Sequence, residues 1–116
     1  MKRITTIILT LALLPAVASA HAFLDHASPK VGSTAATAPK ELRLWFTEKL
    51  EPTFSTAEVR NAQGTVVSGK AQAAGDGTEL RVPLKPLANG TYSVTWRVLS
   101  VDTHRTQGSF TFRVGP

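Results

Sequence analysis

Short runs of alternating polar and apolar residues, separated by turn-forming residues, are the feature that most constrains this chain. A period of two places every second side chain on one face, as in a β-strand with one face buried. The clearest runs are Glu41–Phe46, Glu79–Leu84, Thr91–Val98 and Gly108–Val114. Glycine-containing turns lie at Asn61–Gly64, Gly75–Gly77 and Asn89–Gly90. About seven strands at this spacing predict an all-β, immunoglobulin-like Greek-key β-sandwich.

Few residues favour a helix. The best candidate is Ser33–Ala38, which Pro39 ends, so at most one helical turn is expected there. The large aromatic residues mostly follow the period of two and are expected to fill the sandwich core. They are Trp45, Phe46, Trp96, Phe110 and Phe112.

The first residues have the order of a secretory signal. Lys2 and Arg3 precede the apolar segment Ile4–Pro15, and Ala18-Ser19-Ala20 ends the segment with small residues. The apolar stretch is shorter than the roughly 20 residues that span a bilayer. We expect residues 1–20 to be a cleaved signal peptide and residues 21–116 to form the mature domain.

Cleavage would change the charge and leave a chain without sulfur. Loss of Lys2 and Arg3 leaves 11 of the 13 basic residues against 8 acidic ones, a formal net charge of +3. With no basic run, the chain is not expected to bind nucleic acid. It has no cysteine, and its one methionine is Met1. A metal bound by the mature chain would therefore have only nitrogen and oxygen ligands.

Cleavage after Ala20 would turn His21 into a bidentate ligand. The freed α-amino group and the imidazole Nδ1 can close a six-membered chelate ring on one metal ion. Reference pKa values of about 7.7–8 for the amine and 6.5 for the imidazole allow a metal to displace both protons near neutral pH. An internal amide nitrogen could not bind in this way without losing its proton.

Asp102-Thr103-His104 offers a carboxylate and an imidazole two residues apart. In an extended segment these side chains would point to the same side and could bind one ion. Three nitrogens and one carboxylate oxygen favour Cu(II) or Ni(II), and the Irving–Williams order favours copper. From these residues alone, a solvated aspartate and an isolated histidine near a turn remain an alternative.

Several segments of the chain resemble the CopC family of periplasmic copper-binding proteins. The most specific are the N-terminal histidine of the mature chain and the motif W-R-V-x-S-x-D-x-H at Trp96–His104. The similarity extends over essentially the whole mature chain. Its other parts are His21–Leu24, Ala27–Ser33, Ala38–Glu48, Gly90–Thr95 and Gly108–Phe112.

The resemblance implies a copper-binding protein of copper homeostasis or resistance that is not an enzyme. One Cu(II) ion would be bound by His21, Asp102 and His104 of a periplasmic β-sandwich. Glu48 would approach the copper without binding it directly. The expected partners are the copper ion and a membrane copper transporter, and the protein is expected to be a monomer.

The chain also departs from the family pattern. Some members have a methionine-rich loop that binds Cu(I), and a mature chain without methionine should lack that site. Many members have a histidine at the third mature position, where this chain has Phe23. His26 is the spare histidine, and it lies either on the surface or near the copper.

Two other functions are alternatives for such a chain. Polysaccharide monooxygenases also bind copper through an N-terminal histidine and a second histidine on a related sandwich. A short mature chain, internal aromatic residues and an aspartate in a position that oxygen chemistry needs open all argue against such an enzyme. The second alternative is an interaction module in which the histidines are incidental.

Overall fold

A computed structural model of the chain describes residues 22–116; the predicted signal segment and His21 lie outside them. These residues form eight strands and one short 3-10 helix, Pro52–Phe54. The strands are β1 Leu24–Ser28, β2 Thr34–Ala35, β3 Glu41–Phe46, β4 Thr56–Arg60, β5 Gln72–Ala74, β6 Glu79–Pro83, β7 Gly90–Leu99 and β8 Arg105–Val114. In this part of the chain, no helix has the length and apolar character needed to cross a membrane.

The strands form two four-stranded sheets, as the alternating sequence predicts. The first sheet has the order β1-β3-β6-β5 and the second has the order β2-β8-β7-β4. Apart from the parallel pair of β2 with β8, neighbouring strands are antiparallel. The predicted all-β sandwich is confirmed, and β7 and β8 form its longest ladder, with ten residue pairs.

The alternation of β3 and β7 explains the core. Every second side chain of these strands is buried, and the residues between them face outwards. Aliphatic and aromatic side chains of both sheets therefore meet between the layers. The buried members from the two strands are Leu42, Leu44, Phe46, Tyr92, Val94, Trp96 and Val98.

The prediction for the aromatic residues is correct for most of them and wrong for Trp45. Phe46, Trp96 and Phe112 are buried, and Phe110 packs against the core while partly exposed. Trp45 lies on the outer face, because it precedes the inward-facing Phe46 and neighbouring residues of a strand point to opposite sides.

The outer face of the first sheet also carries His26. The His26 ring stacks on the indole of Trp45, with ring centroids 4.3 Å apart. Its Nδ1 lies 2.6 Å from Oδ2 of Asp25, and 58% of the side chain is exposed. Of the two positions considered for this histidine, the structure shows the surface position.

The helical turn expected in Ser33–Ala38 is not formed. Thr34 and Ala35 instead form β2, which pairs with Arg113 and Val114 of β8. The Arg113 N–H donates to the Ser33 carbonyl, so hydrogen bonds to β8 replace those of a helical turn. Tertiary pairing overrides a short and weak helical tendency at this position.

Glu79 is a buried carboxylate at the start of β6. Its side chain is 6% exposed, and its Oε1 accepts hydrogen bonds from Arg43 Nε at 2.7 Å and Arg81 Nε at 3.1 Å. Burial by itself raises the pKa of Glu79, but the two guanidinium groups outweigh that effect and leave the pKa lowered. The ionised carboxylate therefore links β3 to β6.

Replacing Glu79 with glutamine should lower the free energy of unfolding by about 1–3 kcal/mol at neutral pH, because charge-assisted hydrogen bonds are lost. The lowered pKa of Glu79 stabilises the fold above the ordinary glutamate pKa, and this contribution is lost as pH falls through the folded-state value. Urea unfolding at several pH values should show the difference shrinking below about pH 4. The exposed Glu41→Gln change is the control and should show little effect.

Gly108 provides the space for the Trp96 indole. The two residues are directly paired in the β7–β8 ladder. A Cβ atom at position 108 would lie 2.5 Å from Cζ2 and 2.8 Å from Cε2 of Trp96. Trp96 is buried and stands edge-on to Phe46, so the indole has little room to move.

The Gly108→Ala variant should therefore be less stable by about 1–3 kcal/mol, the usual cost of overpacking a core. Chemical unfolding followed by tryptophan fluorescence measures the change. Ser109→Ala, one residue further along the same strand and exposed, should leave stability nearly unchanged. Equal stability of the Gly108→Ala protein would show that the indole adapts without cost.

Candidate metal site

The loop between β7 and β8 is organised around Ser100, which is fully buried. The Ser100 N–H donates to the His104 carbonyl at 3.0 Å, and the Thr103 N–H donates to the Ser100 carbonyl at 2.9 Å. The Ser100 hydroxyl accepts from the His104 N–H at 3.3 Å and donates to Oδ1 of Asp102. One buried serine therefore fixes the positions of both residues of the D-x-H motif.

Asp102 and His104 lie side by side, as the sequence predicts. His104 Nδ1 is 3.4 Å from Asp102 Oδ1, and the two side chains are 48% and 40% exposed, respectively. The hydrogen bond from Ser100, assisted by His104, holds the pKa of the Asp102 carboxyl below its usual range. The pair thus presents an ionised carboxylate and an imidazole at the protein surface.

The backbone that brings this pair together is not the extended segment expected. Thr103 has a φ of 73°, so the residue between the two side chains adopts a left-handed conformation. A β-branched residue is rarely found there, at a cost of the order of 1–3 kcal/mol. The two side chains converge because the Ser100 hydrogen bonds hold a tight turn closed. Strand periodicity is not the cause.

The beginning of the described chain is fastened to the same end of the sandwich. Ala22 is fully buried, and its carbonyl accepts a hydrogen bond of 2.5 Å from Oγ1 of Thr106, two residues after His104. Phe23 and Thr47 exchange hydrogen bonds, from Phe23 N–H to Thr47 Oγ1 at 3.0 Å and from Thr47 N–H to the Phe23 carbonyl at 2.9 Å. Ala22 therefore has a fixed place beside the start of β8.

Glu48 belongs to the loop that lies between these two parts of the site. Its neighbour Thr47 contacts Phe23, and its neighbour Lys49 accepts a hydrogen bond of 3.0 Å from the Val101 N–H. Glu48 is partly buried. Within residues 22–116, its carboxylate has no hydrogen bond or ion pair, so its predicted role near a copper ion stays a prediction.

The described residues supply only part of a metal-binding set. Among residues 22–116, no three histidine, aspartate or glutamate side chains are placed to bind one ion. The structure thus brings two predicted ligands together, Asp102 and His104. His21, the third predicted ligand, lies outside the described residues.

Sequence reasoning missed the residues that position the site. Ser100 is part of the W-R-V-x-S-x-D-x-H motif, but nothing in its hydropathy distinguishes it from the exposed serines of the strands. Thr47 and Thr106 fasten the N-terminal segment through hydroxyl groups, and nothing in the sequence separates them from the other threonines of the chain. The roles of Thr47 and Thr106 depend on long-range contacts that no local pattern encodes.

The chain resembles known copper resistance proteins. The model of the CopC domain matches residues 24–115. Copper resistance protein C of Xanthomonas campestris pv. juglandis is 40% identical over 118 residues, which cover 95% of this chain and 92% of that protein.

Solved structures agree with this similarity. CopC from Methylosinus trichosporium OB3b has a TM-score of 0.78 and 36% identity, covering 83% of this chain and 95% of that one. PcoC, a methionine-rich copper resistance protein from Escherichia coli, has a TM-score of 0.74 and 33% identity. The match covers 82% of this chain and 99% of PcoC. These are copper resistance proteins rather than enzymes, and the chain belongs to the CopC family of copper-binding proteins.

Proposed function

We propose that this chain is a periplasmic protein that binds one Cu(II) ion after signal cleavage behind Ala20. The amine and imidazole of His21, the carboxylate of Asp102 and the imidazole of His104 would be the ligands. The bound copper would be sequestered or delivered to a membrane copper transporter. The observation that carries the proposal is the exposed Asp102–His104 pair, 3.4 Å apart, beside the fixed position of Ala22.

The position of Ala22 supports a ligand from the preceding residue. Consecutive Cα atoms are about 3.8 Å apart, so the residue before Ala22 starts one peptide unit from a buried and hydrogen-bonded anchor. That anchor is bonded to Thr106, only two residues from His104. A terminal amine and imidazole attached there would therefore start at the same end of the sandwich as the Asp102–His104 pair.

The donor set suits Cu(II). Two imidazoles, an amine and a carboxylate form the nitrogen and oxygen set that tetragonal Cu(II) prefers. Cu(I) prefers thioether sulfur, and the one methionine of the chain is Met1. A separate Cu(I) site is therefore not part of this proposal. The carboxylate is already ionised, so a metal displaces no proton from Asp102 at neutral pH.

The structure gives little support to an oxidative enzyme acting on polysaccharides. Phe46, Trp96 and Phe112 lie in the core and are not available as a flat sugar-binding surface. Asp102 would also occupy a copper position that oxygen chemistry needs open. Copper-loaded protein that generates peroxide or cleaves polysaccharide well above free copper would overturn the binding-protein proposal.

Replacing His104 with alanine should weaken Cu(II) binding by more than about 100-fold, since even the loss of an outer hydrogen-bonding partner costs roughly 10–100-fold. Copper titration with a competing chelator measures the affinity, and electron paramagnetic resonance should show loss of the original type-2 signal. His26→Ala is the matched control, because His26 is exposed on β1 and pairs with Asp25. Unchanged tight binding in the His104→Ala protein would mean that the ligands are wrongly assigned.

A chain that begins at Ala20 should bind Cu(II) far more weakly than one that begins at His21. The extra residue converts the terminal amine of His21 into an amide, which binds copper only after losing its proton. Both proteins can be compared by chelator competition and electron paramagnetic resonance, with thermal unfolding as the check on folding. Equal affinity and equal spectra would refute the amine ligand, and mass spectrometry of the exported protein would test cleavage after Ala20.

A further inference from the structure

The net charge of the described chain is confined to one face of the sandwich. The outward side chains of β4, β7 and β8 include four arginines and one glutamate, a charge of +3. The other seven basic and seven acidic residues of 22–116 cancel. We call this surface the arginine face; its charged residues are Glu58, Arg60, Arg97, Arg105 and Arg113.

Most of these arginines have no acidic partner within the sandwich. Arg60 pairs with Glu58 at 2.5 Å. Throughout residues 22–116, no carboxylate lies within ion-pair distance of Arg97, Arg105 or Arg113. The first sheet is different, because Arg43 and Arg81 on its outer side both pair with Glu79. The positive charge of the arginine face is thus available to a group from outside.

Arg97 and Arg105 are diagonal neighbours on this face. Arg97 lies opposite Gln107 in the β7–β8 ladder, and Arg105 is two residues from Gln107 on the same face. Such diagonal neighbours are about 7–8 Å apart, so two like charges lie close together. With the exposed Phe54, they line an open cavity of about 400 Å³. An anionic group placed here would relieve the repulsion.

This part of the arginine face adjoins the candidate metal site. Arg105 directly follows His104, and Thr106 holds the carbonyl of Ala22. Two more exposed apolar side chains, Phe23 and Val101, belong to the same end of the sandwich. A molecule bound to Arg97 and Arg105 would therefore lie at the same end of the sandwich as the site.

We propose that the arginine face is a docking surface for an acidic protein surface, with Arg97 and Arg105 at the centre of the contact. Guanidinium groups bind carboxylates through paired hydrogen bonds, and a rigid sheet holds these groups at fixed spacing. The face carries no tryptophan or tyrosine, the aromatic residues that are enriched at membrane–water interfaces. The docking is proposed independently of copper binding. Its further role, which is to align the metal site with a partner that receives copper, rests on the proposed function.

The test uses poly-L-glutamate as the acidic probe, with the metal-free mature chain at low ionic strength. Amide chemical shifts in nuclear magnetic resonance should change around Phe54, Arg97 and Arg105. The Arg97→Gln/Arg105→Gln variant should bind about ten-fold more weakly. Lys70→Gln/Lys85→Gln removes the same charge from exposed positions off this face and should change affinity less than about two-fold.

Three results would overturn the proposal. They are absence of binding to poly-L-glutamate, equal weakening in both double variants, and binding to phosphatidylglycerol vesicles without binding to poly-L-glutamate. The last result would assign the arginine face to lipid. Copper titration of the same proteins separates the two proposals, since Arg97→Gln/Arg105→Gln should keep its Cu(II) affinity and His104→Ala should keep its affinity for poly-L-glutamate.

Discussion

The antiparallel ladder between β7 and β8 is the constraint on which the other parts of the molecule depend. Its ten residue pairs direct Tyr92, Val94, Trp96 and Val98 into the core and leave the intervening residues on the outer face. The same ladder ends in the loop that carries Asp102 and His104. Because the chain contains no cysteine, packing and hydrogen bonding have to maintain this arrangement. The candidate metal site, part of the core and most of the arginine face thus depend on one hairpin.

Hydrogen bonds within the protein itself hold the two candidate ligands of the metal site in place. Ser100 supplies hydrogen bonds to both ligating residues, and they hold a turn whose Thr103 backbone is unfavourable by itself. A site that is already ordered loses less conformational entropy when a ligand enters. Hydrogen bonds of Ser100 offset the cost of the left-handed Thr103 backbone. In this loop the buried Ser100 positions the backbone, and the half-exposed side chains of Asp102 and His104 remain accessible to a metal ion.

The alternating sequence was sufficient to predict the sandwich and most of its core, because a period of two reports directly which side chains are buried. The same period places Trp45 and Phe46 on opposite faces, so the two could not both lie in the core, and Leu42 and Leu44 share the inward face of Phe46. The proximity of Asp102 and His104 was predicted for a wrong reason, since a left-handed Thr103 is invisible in a pattern of residue types. The arginine face was equally hidden, because Arg60, Arg97 and Arg113 become neighbours on one surface only when β4, β7 and β8 are paired.

The burial of Ala22 sets the register of the whole N-terminal segment. Its methyl group is enclosed completely, whereas the next residue, Phe23, is half exposed. If the segment slipped by one residue, a phenyl ring would have to enter a space shaped for a methyl group, and each following side chain would face the wrong side of β1. The sandwich therefore fixes which residue of the N-terminal segment occupies the buried position. Alignments of the N-terminal segment that are shifted by one residue are excluded by steric clash.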